Sequence, residues 1–231
     1  MTKQIILLSL VGGLLSLDRV WAQIMISRPI VAAPVAGFIL GDIYTGLQAG
    51  ALLELFWIDR LPIGTVLPPN DFLVAFLAAA ASILVGQQLG HVSRELVAFS
   101  ILLFIPCGYL GQGMDKLIIK TNDTLYESLL SDIKRGDLNS ISRKHLSGLL
   151  KNFLAYACLT LVLLPGGVIL MLHIFPLLPE ALIQGLKLTF FSLALLGLAA
   201  GLNTLNLKGA IPVFCALFLV LSLILEGVRT F

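Results

Sequence analysis

Charge is what this chain has least of. Only 12% of its 231 residues are Asp, Glu, Lys or Arg, against about a quarter in soluble domains. A water-soluble fold of this size has too few charges here to cover its surface. The three cysteines, Cys107, Cys158 and Cys215, lie far apart inside apolar runs. No C-x-x-C pair exists, so a zinc ribbon or dithiol centre is excluded, and the three read as small packing residues. His91, His145 and His173 are equally scattered and give no metal-ligand spacing. There is no Walker A loop and no H-E-x-x-H helix. A net charge of +2, with no basic run longer than two residues, gives no footing for nucleic acid. The sequence implies no cofactor, no metal and no catalytic set. It reads as a non-enzyme that handles a small polar molecule.

What is present is apolar: 58% of residues are hydrophobic and the mean hydropathy is +1.00. The fold class that follows is all-α, a polytopic integral membrane protein. A spanning helix takes about 20 apolar residues. Runs of that kind are Gln4–Leu17, Val20–Gly41, Tyr44–Ile58, Phe72–Gly90 and Leu96–Gly113, then Leu149–Phe175, Ala181–Leu205 and Ala210–Val228. The first resembles a signal peptide, but Asp18 and Arg19 separate its apolar core from the small-residue site at Ala22, so it reads as an uncleaved membrane segment. Tyr44–Ile58 is too short to cross comfortably. Arg28-Pro29 interrupts the second run, and Pro165-Gly166-Gly167 is expected to break the sixth. Non-helical backbone at membrane depth must be buried in protein or line a cavity, so broken or re-entrant helices point to transport architecture. Four G-x-x-x-G pairs, at Gly37/Gly41, Gly46/Gly50, Gly86/Gly90 and Gly197/Gly201, indicate close helix packing.

Seven of the 15 basic and five of the 13 acidic residues fall in Asp115–Lys151. The expected organisation is a single membrane domain, 1–231: an N-terminal helical block 4–113, one polar connector 114–148 and a C-terminal helical block 149–228. The positive-inside rule puts the connector in the cytoplasm, and its charges read as a solvated surface. Thr124 and Glu127 fit a capping box that would start a helix there, with Leu125, Leu129 and Ile133 on one face and Gly136 at its end.

The candidate chemistry lies in Ser27–Asp71, where Arg28, Asp42, Glu54, Asp59, Arg60 and Asp71 stand in an apolar setting. An ionised group in the bilayer faces a cavity or a partner. On a helix Gly46, Gly50 and Glu54 share one face, so the carboxylate continues a small-residue stripe. Two readings stay open for Glu54: a polar role at a substrate site, or an ion pair with Arg28. Asp42, at a Gly-Asp turn, reads as a cap. Asn70 and Asp71 can hydrogen-bond the hydroxyls of a sugar or cap the helix beginning at Phe72.

The residues Ser27-Arg28-Pro29-Ile30-Val31, Leu40-Gly41-Asp42 with Thr45-Gly46, Leu53-Glu54-Leu55 and the proline-rich Ile63–Asp71 loop resemble the IIC subunit of the mannose/fructose/sorbose family of bacterial phosphotransferase permeases. A weaker match is Gly136-Asp137-Leu138-Asn139-Ser140-Ile141 with His145. Here Pro-Pro-Asn-Asp replaces the family's usual Pro-Pro-Asp, so Asn70 stands where an acidic residue is expected, and Gln184–Phe231 matches poorly. The resemblance implies a multi-pass protein of the bacterial inner (plasma) membrane. It further implies a IID membrane subunit as partner, assembly of IIC–IID units into an oligomer, and cytoplasmic IIA and IIB proteins that relay phosphate from phosphoenolpyruvate to the sugar. The expected sugar-binding residues are Glu54, Asn70 and Asp71, with Arg28 and Gln23 in support. Two alternatives remain: a degenerate member with a regulatory or assembly role acting through 115–148, or a membrane-embedded enzyme built on a cluster such as His91 and Glu95 with a second carboxylate.

Overall fold

Apolar runs with few charges satisfy their backbone in lipid only by closing it on itself, which a helix does within one segment. The computed structural model describes residues 1–60, 66–135, 137, 139–204, 209, 212 and 214–216, and all regular structure among them is helical. The elements are α1 (Thr2–Ser16), α2 (Pro29–Leu40), α3 (Ile43–Phe56), α4 (Asp71–Leu89), α5 (Arg94–Phe104), α6 (Cys107–Lys134), α7 (Asn139–Ile174) and α8 (Glu180–Thr204). Among the described residues four stretches are long and apolar enough to cross a bilayer: Asp71–Leu89, Arg94–Lys134, Asn139–Leu177 and Glu180–Leu202. Most of the expected run Ala210–Val228, the loop residues 61–65, and Gly136 and Leu138 of the weaker motif lie outside the described residues.

At the centre is α4. It has no polar face, and every residue from Phe72 to Gly86 is buried, as expected of a helix hydrophobic all round. Helices α2, α3, α5, α6 and α7 surround it. α1 lies antiparallel against α7: a Cβ on Gly13 would come within 2.7 Å of Phe153 O, one on Gly12 within 3.0 Å of Thr160 Oγ1, and Asn152 Nδ2 donates to Ser16 Oγ at 3.0 Å.

α2 and α3 have 12 and 14 residues, about 18 and 21 Å, too short for a hydrocarbon core of about 30 Å. They form a tight hairpin. Pro29 opens α2 at a position where no amide hydrogen is needed. Gly41, at φ +84°, ends it in a conformation that a side chain disfavours. Asp42 then caps α3, accepting from Thr45 N at 3.0 Å and Thr45 Oγ1 at 2.6 Å. The two backbones touch: a Cβ on Gly46 would sit 2.6 Å from Ala33 O, and one on Gly50 2.5 Å from Pro29 O.

Three expectations change. α7 runs unbroken through Pro165. A proline removes one backbone bond without ending a helix whose neighbours hold it, and Gly167 here lets the Phe104 ring pack against the α7 backbone. The capping box at Thr124 does not exist, because α6 has been helical since Cys107 and Thr124 Oγ1 donates back to Thr121 O at 2.8 Å. The run Leu96–Gly113 is two helices, α5 and α6, parted at Ile105-Pro106, where Pro106 interrupts the ladder. The residues of the polar connector are therefore the distal parts of two long helices.

Candidate functional site

Three polar clusters gather where α1 ends, α2 and α4 begin and α3 ends. The first holds the loop from Val20 to Arg28. Asp18 is buried, and its carboxylate accepts from Ile24 N (2.8 Å), Ser27 N (3.0 Å) and Ser27 Oγ (2.8 Å). Burial alone would raise the Asp18 carboxyl, but these bonds together with one from Ile26 N outweigh it and keep the group below its ordinary value. The loop needs this anchoring, since Gln23 and Met25 both adopt positive φ, 52° and 67°, which costs a side-chain-bearing residue free energy. Gln23 is exposed, and its N–H donates to Asp18 O at 2.8 Å.

The second cluster continues the glycine contacts of the hairpin. After Gly46 against Ala33 and Gly50 against Pro29, the next residue on that face is Glu54, which meets Arg28. Arg28 Nε donates to Glu54 Oε1 at 2.8 Å, a second guanidinium nitrogen pairs with the same oxygen, and Ile30 N donates to Oε2 at 3.3 Å. The side chains keep 27% and 18% exposure, so the pair is reachable and not sealed.

The third cluster ties four elements together. Arg19 Nη1 donates to Asp71 Oδ1 at 2.8 Å, and Arg19 Nη2 lies 3.9 Å from Asp115 Oδ2. Asn70 is fully buried. Its Oδ1 caps α4 by accepting from Leu73 N at 3.0 Å, while Nδ2 donates to Tyr156 Oη at 2.7 Å and Asp115 Oδ2 at 3.2 Å. The Tyr156 hydroxyl donates to Asp115 Oδ1. A Cβ on Gly111 would lie 2.5 Å from Asn70 Cβ, so glycine there lets α6 approach. One cation thus serves two carboxylates, of which Asp115 also accepts from Asn70 and Tyr156.

Of the sequence candidates, Arg28 and Glu54 are brought together, Asn70 and Asp71 enter the third cluster, and Gln23 stands apart on the loop. Every polar atom of the Asn70 side chain is engaged, so it holds neighbours in place. Arg19, Asp18, Asp115 and Tyr156 were not singled out as site residues from the sequence. The signal for the acids and the arginine is an ionisable group beside an apolar run; for Tyr156 it is a hydroxyl inside an apolar helix, which must find a partner. Among the described residues no three His, Cys, Asp or Glu side chains converge as a metal-ligand set.

An all-helical chain with bilayer-length helices, a short hairpin and paired charges inside it has the architecture of a membrane transport protein. The family model described as "PTS system sorbose-specific iic component" matches residues 2–227. The chain belongs to that family: it is a IIC permease component of the mannose/sorbose phosphotransferase group, a multi-pass protein of the bacterial inner membrane. Phosphoryl transfer is carried out by other subunits of such systems. Similar proteins include the mannose-specific EIIC component of Escherichia coli K12, 24% identical over 215 residues, covering 92% of this chain and 77% of the relative. The sorbose-specific EIIC component of Klebsiella pneumoniae is 25% identical over 219 residues, covering 94% and 79%. A chain in the cryo-EM structure of the mannose transporter ManYZ with microcin E492 shares the fold, with a TM-score of 0.63 at 22% identity over 100% of this chain and 92% of that one.

Proposed function

We propose that this chain and a IID membrane subunit together form the sugar path of a phosphoenolpyruvate-dependent phosphotransferase system, with several IIC–IID units per assembly. Cytoplasmic IIA and IIB proteins supply the phosphoryl group. Family membership supports the reading, as does the fold shared with a chain of the ManYZ complex. On this reading residues 1–231 act as one membrane domain. The Lys/Arg-rich ends of α6 and α7 face the cytoplasm by the positive-inside rule; because α1 is antiparallel to α7, the N-terminus faces outward.

The observation that carries the sugar site is the Arg28–Glu54 pair at the foot of the short hairpin. Carboxylates accept from sugar hydroxyls and guanidinium groups donate to them, and both side chains are partly exposed. Asp71, held by Arg19, borders the same region, Gln23 lies on the connecting loop, and Asn70 fixes the start of α4. The test is phosphoenolpyruvate-dependent sugar uptake by IIC–IID complexes carrying Glu54→Gln. Uptake is expected to fall at least about tenfold with assembly intact; uptake at the wild-type level removes Glu54 from the site.

A further inference from the structure

Helices α6 and α7 continue well beyond the level of Arg19, Asp71 and Asp115. From Asp115 to Lys134 α6 adds 19 residues, about 28 Å of helix, and α7 returns beside it from Asn139. The ion pairs Lys144–Asp132, at 2.5 Å, and Arg143–Asp137, at 3.0 Å, close the tip. Between the two helices lies a cleft of about 320 Å³, walled by Leu125 and Leu129 of α6 and Ile141 and Leu149 of α7. Asn122 also lines it, and its Oδ1 is buried without a hydrogen-bond partner among the described residues. A buried acceptor left in this state is costly unless something brings a donor. Tyr126, which also lines the cleft, is 62% exposed, an apolar edge on a projecting element. The two ion pairs leave five cations, from Lys116 to Lys151, against Asp123 and Glu127.

We infer that this cleft is a docking slot for a soluble protein that presents an acidic face and inserts one apolar side chain between α6 and α7, with a donor reaching Asn122 Oδ1. The level of the cleft selects a protein over a lipid tail. α4 alone, with 19 residues from Asp71 to Leu89, accounts for about 28 Å of bilayer. The inner end of the cleft reaches Val20, next to Arg19, and from there it extends past Ile118 and away from the Asp71 end to Leu129. Charge complementarity selects an acidic partner, and the slot is sized for an anchoring side chain of the kind that dominates interfaces. The inference rests on the proposed function, in which the IIB phosphoryl carrier is the soluble partner.

The experiment uses the IIC–IID complex in nanodiscs of phosphatidylethanolamine and phosphatidylglycerol, with purified IIB as the probe. Leu129→Asp is expected to weaken IIB binding by about tenfold or more, and Lys120→Glu or added salt to weaken it in the same direction. Lys3→Glu, at the far end of α1, is expected to leave it unchanged, as is sugar binding by the Leu129→Asp complex. If Leu129→Asp prevents assembly, Leu129→Cys is labelled with a bulky maleimide after assembly, in a background carrying Cys107→Ala, Cys158→Ala and Cys215→Ala; blocked IIB binding supports the slot. Wild-type IIB binding by either variant overturns the inference, and loss of co-purified phosphatidylglycerol with IIB binding intact assigns the cleft to lipid instead. A wild-type complex that binds sugar but never IIB removes the partner reading itself, and the inference with it.

Discussion

Arg19 is the one cation among the described residues that two carboxylates share, and its removal should be far more damaging than removal of either acid. In the native cluster Arg19 lies 2.8 Å from Asp71 and 3.9 Å from Asp115, with side-chain exposures of 19%, 16% and 13%. Arg19→Gln leaves two partly buried carboxylates facing each other with no counter-charge. Asp71→Asn leaves Arg19 opposite Asp115, a one-to-one pair that Asn70 and Tyr156 still support. Breaking a buried pair by deleting one partner costs about 3–5 kcal/mol. The residual exposure lowers that to about 2–4 kcal/mol for Arg19→Gln, on the order of 10 °C in melting temperature for a chain of this size. Asp71→Asn should cost about 1 kcal/mol, the worth of one hydrogen bond.

The assay is thermal unfolding of purified protein in detergent, with Arg19→Gln/Asp71→Asn as a third variant. The double variant has one carboxylate, Asp115, with Asn70 and Tyr156 as donors, so it should recover part of the loss seen in Arg19→Gln. The reasoning is refuted if Asp71→Asn is as unstable as Arg19→Gln, or if the double variant is no better than Arg19→Gln alone. Either result would mean that the shape of the arginine, and not the charge balance, holds α1, α4, α6 and α7 together.

Gly50→Val puts a Cβ 2.5 Å from Pro29 O, a backbone atom that cannot move without parting α2 from α3; a loss of about 1–3 kcal/mol is expected in melting experiments. Gly166→Ala, at an exposed α7 position with nothing within 4 Å of the added carbon, is the contrast and should be neutral or slightly stabilising. At the α6–α7 tip the hydrogen bond from Lys144 holds the Asp132 carboxyl below its ordinary 3.8. Because the folded value is lowered, the pair's contribution is complete above 3.8 and disappears as pH falls through the folded value. Hydrogen exchange in residues 128–134 and 139–147 should therefore accelerate only on the acid side, and Asp132→Asn should abolish that pH dependence.

Much of the helical framework was legible because each boundary carries a local physical mark. Asp71 and Gly90 bracket α4, Arg28-Pro29 opens α2, and Gly41-Asp42 turns the chain into α3. What stayed hidden has an equally physical cause. The outer parts of α6 and α7 leave the apolar environment, so their sequence reads as a charged connector although the backbone stays helical to Lys134 and is helical again from Asn139. Pro165 reads as a break because the Phe104 ring packed on Gly167 is more than sixty residues away in sequence. The third cluster was hidden for the same reason: Arg19, Asp71, Asp115 and Tyr156 sit on four elements, and no local pattern announces that they meet.

Glu54 shows where periodicity ends and chemistry begins. Helical spacing alone placed it in line with Gly46 and Gly50, and the hairpin keeps that line in register down to Arg28. Spacing could not choose between an ion pair and a sugar site, and under the proposed function the choice is unnecessary. A one-to-one pair of partly exposed charges can open around a neutral, hydroxyl-rich ligand, because hydroxyls replace the guanidinium at the carboxylate and the carboxylate at the guanidinium. No net charge enters or leaves the membrane in that exchange. The Arg19 cluster cannot open so readily, since freeing either acid would strand a charge: Asn70 and Tyr156 donate to Asp115 but not to Asp71. The same helix ends therefore carry two kinds of polar seam: a balanced pair suited to yielding to substrate, and an unbalanced cluster suited to holding α1, α4, α6 and α7 in place while it does.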